Sequence, residues 1–491
     1  MEPFTLVIFG GTGDLSRRKL LPALFHLYQD QELSKGFSIL CFARTEMADE
    51  AYRNLVQEAI KTSHKAAHDR DPWTNFSRNL FYLSGKYEED ESYARLCQRI
   101  DQVGVAGEDG SRNVIYYLAV PPEVTPAIVR ALEANRLCRE RFKTRVVVEK
   151  PFGRDRPSAA DLNRILRTAF DERQIYRIDH YLGKETVQNI AFFRFSNSIF
   201  EQLWNRYYID NVQITVAEQL GIGHRGGFYE PSGVVRDIVQ NHILQLLSLV
   251  AMEPPISFEA DFFRDEKQKV FLSIQPAREE DIDQLFVRGQ YGPGKGSDSD
   301  TPGYRGEEGV LSHSNTPTFF AGKFYVANWR WSGVPFYVRT GKRMAKQVTE
   351  IAIEFKRPPL RLLGGSSDLL ESNILLLTIQ PDEKISLRFN VKYPYSIDRI
   401  YSANMVLDYQ ETFKTTPHPP YERLLIDCMK GDLTLFARED SVETMWGIVD
   451  PIIAHWENFA PRGFPNYAAG SWGPTEADFL VKRDGRRWNT T

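Results

Sequence analysis

The sequence predicts an α/β domain with a doubly wound parallel sheet, followed by a larger α+β domain whose sheet is mostly antiparallel. Three observations lead there. At 491 residues the chain exceeds what a single hydrophobic core usually fills. Strand and helix patterns alternate from the first residues onward, as in parallel sheets. Beyond about residue 180, strand patterns recur without a regular helix after each.

Phe4–Phe9 is a continuous apolar run of β-formers, the pattern of a strand buried on both faces. Gly10, Gly11 and Gly13 follow at once, then a helical pattern through Leu15, Leu20, Leu21, Leu24, Phe25 and Leu27. Pro22 interrupts that helix: either it bends there, or Pro22 sits where the broken hydrogen bond is otherwise satisfied. A second strand, Phe37–Ala43, ends at Arg44. Helices are expected over 49–61, 92–103 and 124–134. Strands are expected over 113–120, closed by Pro121 and Pro122, and over 145–148, closed by Glu149-Lys150-Pro151. In the second half, strands are expected at 211–218, 324–326, 336–339, 348–355, 373–379 and 385–391. Helices are expected there at 233–250, 419–430 and 443–459. The stretch 292–308, rich in Gly, Ser and Asp, reads as a surface loop.

Hydrophobic residues at 42% and charged residues at 26% fit a globular chain and exclude a disordered one. A net charge of -4, with both signs mixed along the chain, offers no positive field for nucleic acid, so any anion site must be local. Cys41, Cys97, Cys138 and Cys428 stand far apart, none in a C-x-x-C pair or at zinc-finger spacing from a histidine. They are expected to be buried, reduced thiols, and no metal site is read. The first residues run straight into a strand, so no signal peptide is read, and no apolar run approaches the roughly 20 residues of a membrane helix. A cytoplasmic location without membrane contact is the expectation.

Gly10-Gly11-Thr12-Gly13-Asp14-Leu15 departs from a strict G-x-G-x-x-G, but it has a buried strand before it and an amphipathic helix after it. Such a turn is an ordinary strand–helix connection, or it holds a pyrophosphate on backbone N–H groups at the positive end of the helix. Proteins that bind NAD usually carry an acid near the end of the second strand; here Arg44-Thr45 stands there, with Glu46 beside it. Arginine at that place is a solvated surface residue or a partner for the 2′-phosphate of NADP, and we read the latter.

In Asp179-His180-Tyr181-Leu182-Gly183-Lys184, three donors including a cation share one short loop, which suits a phosphate monoester. The bland alternative is a helix start capped by Asp179. Asp237 and His242 lie on a helix that continues as ILQLLSLV, and a polar face on so apolar a helix needs partners. His242 by itself reads as a satisfied structural residue or as a base. Asp237, five positions earlier, does not lie directly on its face of an α-helix, so a carboxylate orienting His242 comes from elsewhere, with Asp179 the candidate. Lys150 closes a strand where open α/β sheets bind ligands, and Lys342 lies in PFYVRTGKR.

Seven stretches together are very similar to the glucose-6-phosphate dehydrogenase family: GGTGDLSRRKLLPAL, EKPFG, RIDHYLGKETVQNI, RGGFYEPSGVVRDIVQNHILQ, VPFYVRTGKR, YERLLIDCMKGDLTLF and SWGPTEADF. They span nearly the whole chain in family order. The resemblance implies a Rossmann-like NADP-binding domain over 1–178 and a substrate-binding and oligomerisation domain over 179–491. It implies oxidation of D-glucose 6-phosphate at C1 to 6-phospho-D-glucono-1,5-lactone, with hydride transfer to NADP and with NAD as a secondary acceptor. That reaction is the first, oxidative step of the pentose phosphate pathway. By matching position, His242 removes the proton of the C1 hydroxyl and Asp179 holds and polarises His242. His180, Tyr181 and Lys184 bind the 6-phosphate. Glu218, Asp237 and Lys342 contact the sugar, and Lys150 lies between sugar and nicotinamide. Gly10, Gly11, Thr12, Gly13, Asp14, Leu15 and Arg44 hold the cofactor; Lys19 approaches the reacting centre. Lys86 stands where an aspartate is common near the cofactor. The Lys150–Pro151 bond is expected to be cis, and the chain to form a homodimer or homotetramer.

One departure concerns the phosphate. The family often has a basic residue five positions beyond Lys342; here that residue is Gln347, with Lys346 beside it. Either Lys346 takes over or phosphate affinity is weaker. Two rival readings are a sugar oxidoreductase that needs no phosphate and a catalytically inactive relative that senses sugar phosphate. The first should oxidise unphosphorylated sugar without His180 or Lys184, and retention of His242 and Asp179 argues against the second.

Overall fold

The computed structural model describes residues 1–63, 70–108, 110–137, 142–295, 300–358, 370–395, 400–414 and 419–489. Cys138 and part of the 292–308 loop lie outside the described residues. The chain divides into two compact units. Unit one comprises Met1–Lys184, Pro255–Arg264 and His418–Glu443; unit two comprises Glu185–Pro254, Asp265–Pro417 and Thr444–Thr491. Beyond residue 178, residues 179–184 and two later stretches therefore also belong to the first unit.

Unit one is built on six parallel strands: β1 (Phe4–Phe9), β2 (Phe37–Ala43), β3 (Leu80–Ser84), β4 (Arg112–Leu118), β5 (Phe142–Val148) and β6 (Ile175–Ile178). Their order is β3-β2-β1-β4-β5-β6, with the short strand Phe436–Ala437 antiparallel beside β6. The order reverses between β1 and β4, and ligands of such sheets bind in the crevice outside the carboxyl ends of the strands. β1 and β2 are buried throughout, as unbroken apolar runs require. β3 and β6 were not read from the sequence. In β6 the reason is Arg177, which is fully buried because Glu172 (2.7 Å) and Asn163 (3.2 Å) accept its hydrogen bonds. Ser16–Leu20 is wound as a π-helix, and α-helical winding starts at Leu21 and runs to Gln29. Pro22 thus stands inside a continuous helix, directly after the π-wound turn whose five-residue bonds, such as Leu21 N–H to the Ser16 carbonyl, replace the four-residue pattern that a proline breaks.

Unit two holds an eight-stranded sheet in the order Ile400–Asp408, Lys384–Lys392, Ile374–Gln380, Val348–Phe355, Ile209–Ala217, Pro335–Gly341, Phe319–Tyr325, Phe286–Gly289. Neighbours are antiparallel except for Ile209–Ala217 and Pro335–Gly341, which run parallel with Ala217 beside Gly341. The end strand Ile400–Asp408 escaped the sequence reading because Tyr401, Met405, Val406 and Leu407 are exposed on it, so no buried alternation marks it. Within the 292–308 stretch, read as a surface loop, Tyr304 is fully buried in a cluster with Tyr229 and Tyr291. Among the described residues no helix is long and apolar enough to cross a membrane. Cys41, Cys97 and Cys428 are free; Cys97 is half-buried, while burial pushes the Cys41 and Cys428 thiols up to about 12, which leaves them inert.

Candidate active site

In unit one, the candidate residues stand at or just past the carboxyl ends of parallel strands, except Lys19, which lies in the π-wound turn Ser16–Leu20. The glycine turn follows β1, Arg44 follows β2, Lys86 follows β3 by two residues, Lys150 follows β5 and Asp179 follows β6. At Gly10 φ is +81°, and a Cβ there would come within 2.2 Å of the Ala119 carbonyl oxygen; at Gly11 it would come within 2.5 Å of Cys41 Cβ. Neither site accepts a side chain. The Gly13 N–H (2.8 Å) and the Ser16 hydroxyl (2.9 Å) donate to the Gly10 carbonyl and close the turn. Helical winding begins at Asp14, and the N–H groups of a first turn have no intrahelical acceptor, which makes this a fitting cradle for a pyrophosphate. Thr12 and Leu15 are half-buried; Asp14 and Lys19 are exposed, with Asp14 paired to Arg18 at 2.7 Å. Arg44 is exposed, and the buried Tyr87 lies against both it and Gly10. Lys86 is on the surface, paired to Glu89 at 2.6 Å.

The 179–184 loop folds on itself. Asp179, 2% exposed, accepts the Tyr181 N–H on Oδ1 (3.0 Å), and the Lys184 N–H donates to the Tyr181 carbonyl (3.1 Å). This is an Asx turn, ahead of a helix that starts at Glu185, so Asp179 shapes the loop instead of capping the helix. The His180 ring stacks parallel to Tyr421 (centroids 6.4 Å apart, 6°) and meets Tyr181 edge-on at 5.2 Å. The Lys184 ammonium lies 3.9 Å from the Tyr181 ring centroid. Beneath Lys150, whose bond to Pro151 is cis, Glu149 accepts a hydrogen bond from Tyr117 (2.5 Å) and another from Tyr421. Burial lifts the Glu149 carboxyl to about 7; the two tyrosine hydroxyls and Lys150 oppose the rise, and Asp179 adds to it.

In unit two the parallel strand pair decides the geometry. Glu218 and Lys342 are the residues immediately after Ala217 and Gly341, which are in register, so they emerge side by side. Lys342, 4% exposed, pairs with Glu218 and, at 3.2 Å, with Asp237. Burial lowers the pKa of its ammonium, but Asp237 and Glu218 together outweigh that and hold it above the ordinary lysine value. The Tyr229 ring lies 5.5 Å from the ammonium, and the Tyr467 hydroxyl donates to the Lys342 carbonyl at 2.8 Å. Gln347 Oε1 accepts the Gln219 N–H at 3.2 Å.

One expectation is corrected here. Val235–Ile243, which carries Asp237 and His242, is a π-helix and not an α-helix. Its backbone bonds span five residues and its turns are wider than those of an α-helix, so positions five apart come much nearer to one face and Asp237 is not separated from His242 by winding. Leu244–Ala251 then resumes α-helical winding. His242 is 1% exposed, and its N–H donates to Asn241 Oδ1 at 2.7 Å. Glu149, Tyr117, Tyr421, Tyr229 and Tyr87 are neighbours of the candidate residues that sequence reasoning did not single out. For Glu149, Tyr421 and Tyr229 the available signal was membership of the EKPFG, YERLL and GGFYE stretches, and for Tyr87 adjacency to Lys86; Tyr117, inside the apolar β4 run, offered none.

The family model described as "Glucose-6-phosphate dehydrogenase, NAD binding domain" matches residues 7–189, and "Glucose-6-phosphate dehydrogenase, C-terminal domain" matches 191–489. The chain is 43% identical to a glucose-6-phosphate 1-dehydrogenase of Chlamydia pneumoniae, over 99% of this chain and 96% of the relative. It is 44% identical to that of Mycolicibacterium smegmatis, over 100% of this chain and 98% of the relative. A solved glucose-6-phosphate dehydrogenase in complex with its substrate glucose 6-phosphate matches with a TM-score of 0.90 at 34% identity, covering 100% of this chain and 99% of that one. A glucose-6-phosphate 1-dehydrogenase from Mycobacterium avium matches at 0.86 and 36% identity, covering 100% and 99%. Unit one is a nicotinamide-dinucleotide-binding domain. The chain belongs to the glucose-6-phosphate dehydrogenase family.

Proposed function

We propose that the chain oxidises D-glucose 6-phosphate at C1 to 6-phospho-D-glucono-1,5-lactone, with NADP as hydride acceptor. The observation that carries the reading is the Glu218–Lys342–Asp237 cluster, a buried ammonium between two partly exposed carboxylates, in a chain similar over its whole length to glucose-6-phosphate 1-dehydrogenases. Such a cluster presents two carboxylate acceptors and one ammonium donor, the groups that fix sugar hydroxyls.

Oxidising a hemiacetal removes a hydride from C1 and a proton from its hydroxyl. That hydroxyl is a very weak acid, so a positioned base lowers the barrier. In this reading His242 takes the proton, and Asp179 orients the ring and stabilises the imidazolium. His180, Tyr181 and Lys184 hold the 6-phosphate, Glu218, Asp237 and Lys342 hold the sugar, and Lys150 and Lys19 lie toward the nicotinamide. The dinucleotide, when bound, supplies the hydride acceptor. The turn from Gly10 to Leu15 would hold its pyrophosphate, and Arg44 and Lys86 lie toward its adenosine phosphate.

The reading is tested by following reduced-nicotinamide absorbance with glucose 6-phosphate and each cofactor in turn. We expect a higher kcat/KM with NADP than with NAD, because Arg44 offers a cation where NAD enzymes place an acid. A higher value with NAD overturns the cofactor preference, and no reduction of either overturns the activity. Lys184→Ala is expected to raise the KM for glucose 6-phosphate by about tenfold or more, the loss of one charge-assisted hydrogen bond of about 1.5–3 kcal/mol, with kcat changed far less. An unchanged KM, with unphosphorylated glucose used equally well, removes Lys184 from the phosphate site and favours the phosphate-independent rival.

A further inference from the structure

We infer that Glu149 is a positioning residue for the phosphate loop: its carboxylate, held by the hydroxyls of Tyr117 and Tyr421, fixes the Tyr421 ring on which His180 stacks. The inference rests on reading 179–184 as the phosphate-binding loop. Three elements meet at this carboxylate. Tyr117, fully buried, comes from β4; Glu149 follows β5; Tyr421 comes from the first turn of the helix Pro420–Lys430. That helix start also backs the loop directly, because a Cβ on Gly183 would come within 2.6 Å of the Pro420 carbonyl oxygen. The titratable groups facing Glu149 are Tyr117, Tyr421, Lys150 and Asp179.

Ionised, the carboxylate accepts from both hydroxyls; protonated, it must itself donate, and one tyrosine hydrogen loses its acceptor. Tyr117 is enclosed in the sheet, whereas Tyr421 stands half-buried at a helix start, so Tyr421 is the partner that yields and His180 loses its platform. Because burial lifts this carboxyl from 4.5 to about 7, the change falls in the neutral range. The folded state binds the extra proton between those two values, so the ionised carboxylate lowers stability as pH rises through that window. An arrangement that organises a binding loop and costs stability in its working form points to function.

The test compares KM for glucose 6-phosphate and kcat of the full-length wild type and Glu149→Gln from about pH 6 to pH 9. Glu149→Gln is expected to raise KM about three- to tenfold at alkaline pH, the loss of one hydrogen bond, with kcat changed less than KM. It is also expected to lose the rise in KM that the wild type shows as pH falls through about 7. Tyr421→Phe keeps the ring but removes the hydroxyl through which the carboxylate holds it, so KM is expected to rise as in Glu149→Gln and the inflection near pH 7 to be lost. Parallel KM–pH profiles for wild type and Glu149→Gln overturn the inference. If Glu149→Gln does not fold, an inflection retained in Tyr421→Phe overturns it instead. A wild type inactive on glucose 6-phosphate counts against the proposed function, a result distinct from parallel profiles in active enzymes.

Discussion

Replacing His242 by asparagine is expected to lower kcat by about 10²- to 10⁴-fold while leaving the KM for glucose 6-phosphate nearly unchanged. Asparagine is close to histidine in reach and keeps a hydrogen-bond donor, but its amide takes up no proton near neutral pH. The substitution therefore removes the base and little else. The bond from the residue's own N–H to Asn241 Oδ1 involves only its backbone and is kept in the variant. The π-helical segment that carries the position is held by main-chain bonds along Val235–Ile243. A matched loss in kcat and kcat/KM identifies an interaction made in the transition state. A near-normal kcat would remove His242 from the chemistry and leave it a satisfied core histidine, which its 1% exposure also permits.

The sequence was most legible where one rule acted alone. β1 and β2 are pure apolar runs, and their bounds, Phe4–Phe9 and Phe37–Ala43, could be read directly. The glycine turn is legible because Gly10 and Gly11 have no room for a Cβ. Where a tertiary partner excuses a local violation, reading failed. Arg177 hides β6 until Glu172 and Asn163 are seen to satisfy it. The winding of Val235–Ile243 was illegible for another reason: residue spacing states which face is apolar, not whether backbone bonds span four residues or five. Glu218 and Lys342 are far apart in sequence, and nothing local reveals that Ala217 and Gly341 pair in parallel within an otherwise antiparallel sheet. Only the family resemblance proposed them together. Glu149 looked like the punctuation of a strand, since its partners Tyr117 and Tyr421 come from distant parts of the chain.

The second large effect is expected from Lys342→Met. Methionine matches the aliphatic stem but removes the ammonium that Glu218 and Asp237 share. Two carboxylates then remain beside each other with their counter-charge gone. Breaking a fully buried pair typically costs about 3–5 kcal/mol, and solvent at the two acids, 29% and 23% exposed, reduces the loss here to about 1–3 kcal/mol. Stability measured by denaturant at neutral pH should fall by that amount, and kcat/KM for glucose 6-phosphate should collapse with it. The pH dependence separates charge from packing. Without the cation the two carboxylates repel each other, so the variant's deficit should shrink at acid pH, where that repulsion is gone. A packing defect would persist at low pH. Lys342→Arg keeps the charge but spreads it over a planar fork that does not reproduce the compact ammonium between two acids, so partial stability without normal activity is expected. The combination Lys342→Met with Glu218→Gln should recover part of the lost stability while remaining inactive, because it relieves the repulsion without restoring a donor for the sugar. Unaltered stability of Lys342→Met at neutral pH would mean that the cluster is not held together by this lysine, and its place at the centre of the sugar site would have to be given up.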